Sequence, residues 1–236
     1  MPYKFDNIIE ILKQVFLNIA EKRQLSSSGK VALLMDVYDS LLSSQVHENL
    51  IPLRVNSSLE ADIKTFEEKI QSSCDCSFLK SALSYFISEI VCNVEQHAGV
   101  EQGLGFAFFD QSQNTLLVGI ADAGVSIYGS YVKNQKYLTE LGDSDAQALY
   151  LAQNGYSTKN LPNAENRGYG ISSNSKMMVE GLGGTFSILS GNALFYHSAE
   201  GKRIVDLPET IDWPGTMVLA EIPLTAKPIN IYNYIS

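Results

Sequence analysis

Apolar residues recur along this chain at two different spacings, and the change from one to the other organises it. Phe5, Ile8, Leu12, Val15, Phe16 and Ile19 fall on one helical face. The run Ser26 to Gly29 interrupts that period, and a second helical stretch carries Val31, Leu34, Met35, Tyr38, Leu41 and Leu42. The pattern predicts a helical hairpin over residues 1–49 ahead of a main domain over 50–236. Leu50 to Val55 is apolar, β-branched and interrupted by Pro52, which predicts a short strand at a sheet edge. Ser57 and Glu60 have capping-box spacing and predict a helix to about Ser72. A longer helix is predicted from Ser77 to about His97, with apolar residues at 79, 82, 83, 86, 87, 90, 91 and 94.

From Gly103 the period becomes extended. Strands are expected at Leu104 to Phe109 and Thr115 to Ala121, joined by the polar turn Asp110 to Asn114. Residues 123–167 are polar and weakly periodic apart from a helical Asp143 to Gln153. So long a stretch in a compact domain predicts a lid, at about 125–167. The extra helix inside it is expected to offer a partner-docking surface. A helix follows from Ile171 to Glu180 and stops at Gly181, and strands are expected at about 184–190, 193–198, 203–207 and 216–222. The expected fold class is α+β: a two-layer α/β sandwich with one largely antiparallel sheet, helices on one face, and a cleft between helices and lid.

Composition narrows the function. Of 236 residues, 45% are apolar and 18% charged, enough for a sizeable core and against disorder. The formal net charge is −9, which argues against direct nucleic-acid binding driven by phosphate attraction. The longest apolar runs, such as Leu116 to Ala121, span a few residues, so no membrane association is expected. Residues Met1 to Asp6 lack the layout of a secretory signal, and Cys74, Cys76 and Cys92 read as reduced thiols; the expected location is cytoplasmic.

Four short patterns carry candidate chemistry. Glu89, Asn93 and His97 stand at i, i+4 and i+8, on one helix face that drifts by about 40° per step. That spacing suits a solvated helix side. It also suits a site, because a carboxylate can take a proton and an amide oxygen one turn on can ligate Mg²⁺. Asp122 and Gly124 end an apolar strand, where the carboxylate can accept from an exocyclic amine and the glycine permits flat approach of a base; an ordinary strand-to-turn Asp-x-Gly reads the same way. Arg167, Gly168 and Gly170 precede a helix and offer an anion site without the spacing of a dinucleotide fingerprint or P-loop. Gly215 and Thr216 lead into the last strand, either as a plain turn or with the Thr hydroxyl reaching the same base as Asp122.

In this order the four patterns resemble the boxes of the histidine-kinase-like ATPase superfamily, the gyrase, chaperone, kinase and mismatch-repair group with its Bergerat-type ATP-binding fold. The resemblance covers roughly residues 50–225. Within it the chain looks most like the anti-sigma-factor serine kinases, since Tyr156-Ser157-Thr158-Lys159 followed by Arg167-Gly168-Tyr169-Gly170 is similar to the end of their lid. The resemblance implies Glu89 as the catalytic carboxylate, Asn93 as the Mg²⁺ ligand, and Asp122 as the reader of adenine with Thr216 assisting through water. It implies a nucleotide site completed by Gly124, Thr158, Lys159, Arg167, Gly168 and Gly170. The cofactors so implied are ATP and Mg²⁺. The partners implied are a STAS-type antagonist or a sigma-like regulator, and a second copy of the chain as a homodimer.

Two departures accompany the resemblance. Ser126 replaces the second glycine of the first glycine box, and the interval from Gly124 to Gly168 is longer than that of an anti-sigma lid. His47, Glu48 and Pro52 imitate a phospho-acceptor box, but the interval to Asn93 is too short for the helical hairpin such a box needs, so a surface histidine is expected. The leading expectation is an Mg²⁺-ATP-dependent Ser/Thr protein kinase in signal transduction. The alternatives are a nucleotide-gated binding module with little catalysis, or the ATP-binding part of a histidine-kinase-like system. An ATPase machine of the gyrase kind is disfavoured, because the chain ends soon after the last strand with no further domain to supply a lysine to the γ-phosphate.

Overall fold

The computed structural model describes residues 34, 36–40, 48–55, 58–158, 169–207 and 213–234. Most of the expected N-terminal hairpin, Ser57 and His47 lie outside these residues. Seven strands form one sheet in the order β1-β2-β3-β7-β4-β5-β6, with every pairing antiparallel. They are β1 (Ile51–Arg54), β2 (Gln102–Asp110), β3 (Thr115–Asp122), β4 (Thr185–Gly191), β5 (Ala193–Ser198), β6 (Gly201–Asp206) and β7 (Trp213–Pro223). The Pro-containing β1 sits at an edge, as its missing N–H requires.

Helices α1 (Leu59–Ser73) and α2 (Lys80–Asn93) lie between β1 and β2 in sequence. Helix α1 starts after Ser58, which makes no side-chain capping bond, and the capping box expected at Ser57 falls on a residue outside those described. The edge is tied down by Arg54, whose backbone N and Nε each donate to Asp62 Oδ2 at 2.9 Å. Those bonds hold the Asp62 carboxyl below its ordinary range, against the opposing effect of its burial. Helix α2 continues into a π turn at Val94–Ala98 that ends at Gly99, with φ of 70°.

The described part of the expected lid, residues 125–158, is largely helical. It contains α3 (Ile127–Lys133), α4 (Leu138–Leu141) and α5 (Asp145–Gln153), of which only α5 carried a readable period. Leu149 of α5 belongs to the main core, and Asp145 Oδ2 accepts from Asn192 N at 3.0 Å, so α5 is fixed to the β4–β5 turn. Helix α6 (Tyr169–Lys176) runs into a second π turn, Met177–Gly181, ahead of β4.

The sheet alternates with period two, and both of its faces are buried at the central strands. Leu116, Val118, Ile120, Ile188 and Val218 pack with Phe86, Ile87 and Ile90 of α2. The intervening residues, among them Leu117, Ala121, Leu189, Met217 and Leu219, form a second core with Leu34 and Val37. Tyr38 meets Trp213 with ring centroids 5.7 Å apart. The expected two-layer sandwich is corrected here: the other face is covered by the helical residues 34 and 36–40. Every position of β3 is buried as a result.

Candidate functional site

Asp122 closes β3, directly across the ladder from Thr216 at the start of β7's paired stretch. The irregularity in β7 just before Thr216 needs Gly215, which has φ of 104° and presses on the Asp122 carbonyl where a Cβ would collide. Asp122 is 4% exposed. Its Oδ1 accepts from Gly124 N at 2.9 Å, and the Thr216 backbone N–H also donates to the carboxyl group. Burial outweighs those two bonds and pushes the carboxyl up to about 7.

Gly124 makes a close backbone contact that leaves no room for a side chain. A Cβ there would run into the backbone carbonyl of Ala98, at the end of the π turn, and the neighbouring Val125 N donates to that carbonyl at 2.9 Å. The glycine lets β3's exit pass against α2, so it positions the site without lining it. Ser126 is equally explained. Its backbone is extended, with φ of −61° and ψ of 171°, and its Oγ accepts from Gly129 N at 3.0 Å. No glycine is needed, and the serine caps α3.

Helix α2 turns Glu89, Asn93 and His97 into one cleft, which Asp122, Thr158, Gly170 and Thr216 also line. The cleft encloses about 960 Å³ including open solvent at its mouth. Its walls near Asp122 are apolar: Ile90, Val94, Ile120, Val125, Ile188 and Val218. Gly170 lies so close to Glu89 that a Cβ would strike the carboxylate. Burial, and to a lesser degree the nearby Glu89, raises the Tyr85 hydroxyl pKa. Lys159, Arg167 and Gly168 lie outside the described residues.

Thr158, the last described residue of the lid segment, is latched. Thr158, 8% exposed, has its Oγ1 3.0 Å from His97 Nδ1 and 3.1 Å from Ser130 Oγ on α3. The Tyr131 hydroxyl donates to the Tyr156 carbonyl beside it. Neither Ser130 nor Tyr131 stood out in sequence. Ser190 of β4 did not either: its Oγ meets Ile127 N at 2.9 Å and both Gly215 O and Thr216 Oγ1 at 3.1 Å. A lone serine in an apolar strand carries no signal of such a position.

Among the described residues no group of three or more His, Cys, Asp or Glu side chains is arranged to hold a metal ion. Asn93 and Glu89 offer oxygen donors on one wall, which suits a hard cation held mainly by a ligand's own phosphates and water. No helix of the described residues is long and apolar enough to cross a membrane. No protein-family model matches the chain, and a search of curated proteins finds no significant match.

Proposed function

We propose that the cleft is a Mg²⁺-ATP site of the Bergerat type, and that the protein is a Ser/Thr protein kinase of the histidine-kinase-like ATPase superfamily. One observation carries the reading: residues from all four sequence patterns, separated by up to 127 positions between Glu89 and Thr216, line a single cleft. Chance turns and solvated helix sides have no reason to converge. An apolar cleft holding a buried carboxyl fits a purine with an exocyclic amine, with Asp122 and Thr216 at its floor. Asn93, His97, Thr158 and Gly170 line the same cleft and would meet the phosphates.

The chemistry is in-line phosphoryl transfer, in which positioning and charge neutralisation do most of the catalysis. Asn93 would hold Mg²⁺, which supplies neutralisation of phosphate charge when bound. Glu89 takes the proton of a partner's Ser or Thr hydroxyl as its oxygen bonds to the γ-phosphorus. The bond from that phosphorus to the bridging oxygen breaks, and ADP leaves. The test is to titrate native protein and Glu89→Gln with Mg²⁺-ATP while following phosphate transfer and release. Binding kept with transfer and release lost supports the kinase; equal rates in both proteins remove Glu89 from the chemistry.

A second reading, a nucleotide-gated binding module, is favoured by one feature. Among the described residues, five of the six exposed large apolar side chains are Val132, Tyr137, Leu138, Tyr150 and Tyr156, all in the lid segment. Patches of that kind mark interaction surfaces. Native protein that binds ATP without ever transferring or releasing phosphate decides for this reading.

A further inference from the structure

A hydroxyl group carries one proton and two lone pairs, and at Ser190 all three are accounted for. The side chain is 1% exposed, does not line the cleft, and has three partners. Ile127 N, the first residue of α3, donates to Ser190 Oγ at 2.9 Å and occupies one lone pair. Gly215 O, 3.1 Å away, can only accept, so the Ser190 proton goes to it. The remaining contact is Thr216 Oγ1 at 3.1 Å. All three bonds coexist in one arrangement alone, that in which Thr216 donates to Ser190.

The Thr216 hydroxyl proton is therefore directed away from the cleft, and its lone pairs are what a ligand meets. Opposite it on the ladder stands the Asp122 carboxyl, an acceptor when ionised. We infer that Ser190 is a positioning residue for ligand specificity: by fixing the direction of the Thr216 hydroxyl it makes the cleft floor accept hydrogen bonds and not donate them. Such a floor takes a base bearing an exocyclic amine, whose hydrogens find two acceptors. It refuses a base with a carbonyl oxygen at the same place, because acceptors would face an acceptor and buried polar groups would go unpaired. The inference rests on the nucleotide reading and adds to it a residue outside the four sequence patterns.

The test compares ATP with ITP, which carries a carbonyl oxygen in place of the amine, by calorimetry at about pH 8.5, above the titration of Asp122. Native protein is expected to prefer ATP by at least about tenfold. Ser190→Ala lets the Thr216 hydroxyl turn, and the preference should shrink to about threefold or less. Ser190→Cys, close in volume but weak in hydrogen bonding, should do the same and covers the case in which the alanine variant does not fold. Thr216→Val should also lose the preference, and adding Ser190→Ala to it should change nothing more, which a merely structural role would not produce. An unchanged ATP-to-ITP ratio in the Ser190 variants, or a parallel loss of both affinities, overturns the inference. Equal binding of ATP and ITP by native protein overturns it while leaving the nucleotide reading intact. Binding of neither by native protein overturns both.

Discussion

Thr158 Oγ1 lies 3.0 Å from His97 Nδ1, joining the last described residue of the lid segment to the π turn that finishes helix α2. The two residues stand 61 positions apart, and Ser130 braces the same hydroxyl from α3. The cleft is thus bordered by a polar latch made within the chain. His97→Ala should lower stability by about 0.5–1.5 kcal/mol, the usual net worth of a hydrogen bond. It should also speed proteolytic cutting near Tyr156 to Thr158, with bound ATP restoring protection. Unchanged cutting would show that the latch does not hold this segment.

Asp122 gives a pH dependence with a definite sign. Its folded pKa is raised to about 7 by burial, so the folded state binds a proton that the unfolded chain has already released. The stabilisation is fully present below about pH 4, declines as pH rises, and is gone above about 7. Between those limits Asp122→Asn should flatten the pH dependence of unfolding free energy, by up to about 1.4 kcal/mol per pH unit relative to native protein. An amine-bearing ligand requires the ionised carboxylate, so ATP affinity should rise with pH through about 7 while stability falls. Denaturant melts and ATP titrations at several pH values check both halves.

Gly124 and Gly142 should respond differently to alanine. At Gly124 the new Cβ meets the Ala98 backbone, which cannot move aside as a flexible side chain would. A loss of about 1–3 kcal/mol is expected, with ligand binding lost as β3's exit shifts from α2. Gly142 has φ of 55° and ψ of −152° with nothing near a Cβ, so only the backbone cost of about 1–3 kcal/mol applies, and binding should survive. Thermal melts with ATP titration separate the two.

Ser126 tests whether the altered glycine box matters. Ser126→Ala removes the α3 cap and should cost about 1 kcal/mol, whereas Ser126→Gly should cost only a few tenths. Since the serine adopts an extended backbone already, restoring glycine should leave ATP affinity unchanged. A large gain in affinity from Ser126→Gly would show that the hydroxymethyl group crowds the ligand.

Much of this was legible in the chain. The helix carrying Glu89, Asn93 and His97 and the seven strands follow from periodicity, because each is half of an apolar interface whose spacing the sequence must keep. Helices α3 and α4 were not legible: Ile127–Lys133 and Leu138–Leu141 are too short for a period to declare itself. The second buried face of the sheet did leave a signal, the unbroken apolar run Leu116 to Ala121, which marks a strand covered on both sides. Its covering residues, Leu34 and Val37, are distant in sequence, so the pairing itself could not be read. Ser190 was illegible for a related reason, since its importance lies in three partners contributed by α3 and β7. Patterns report what a segment faces, not which segment faces it.

The central claim is that the cleft holding Asp122 binds ATP with Mg²⁺. Calorimetric titration of ATP into the native protein, with and without Mg²⁺, and into Asp122→Ala and Asn93→Ala, tests it most directly. Micromolar binding, about −8 kcal/mol, is expected. Asp122→Ala should abolish it, and Asn93→Ala should remove its dependence on Mg²⁺. A native protein that takes up no ATP under either condition contradicts the account.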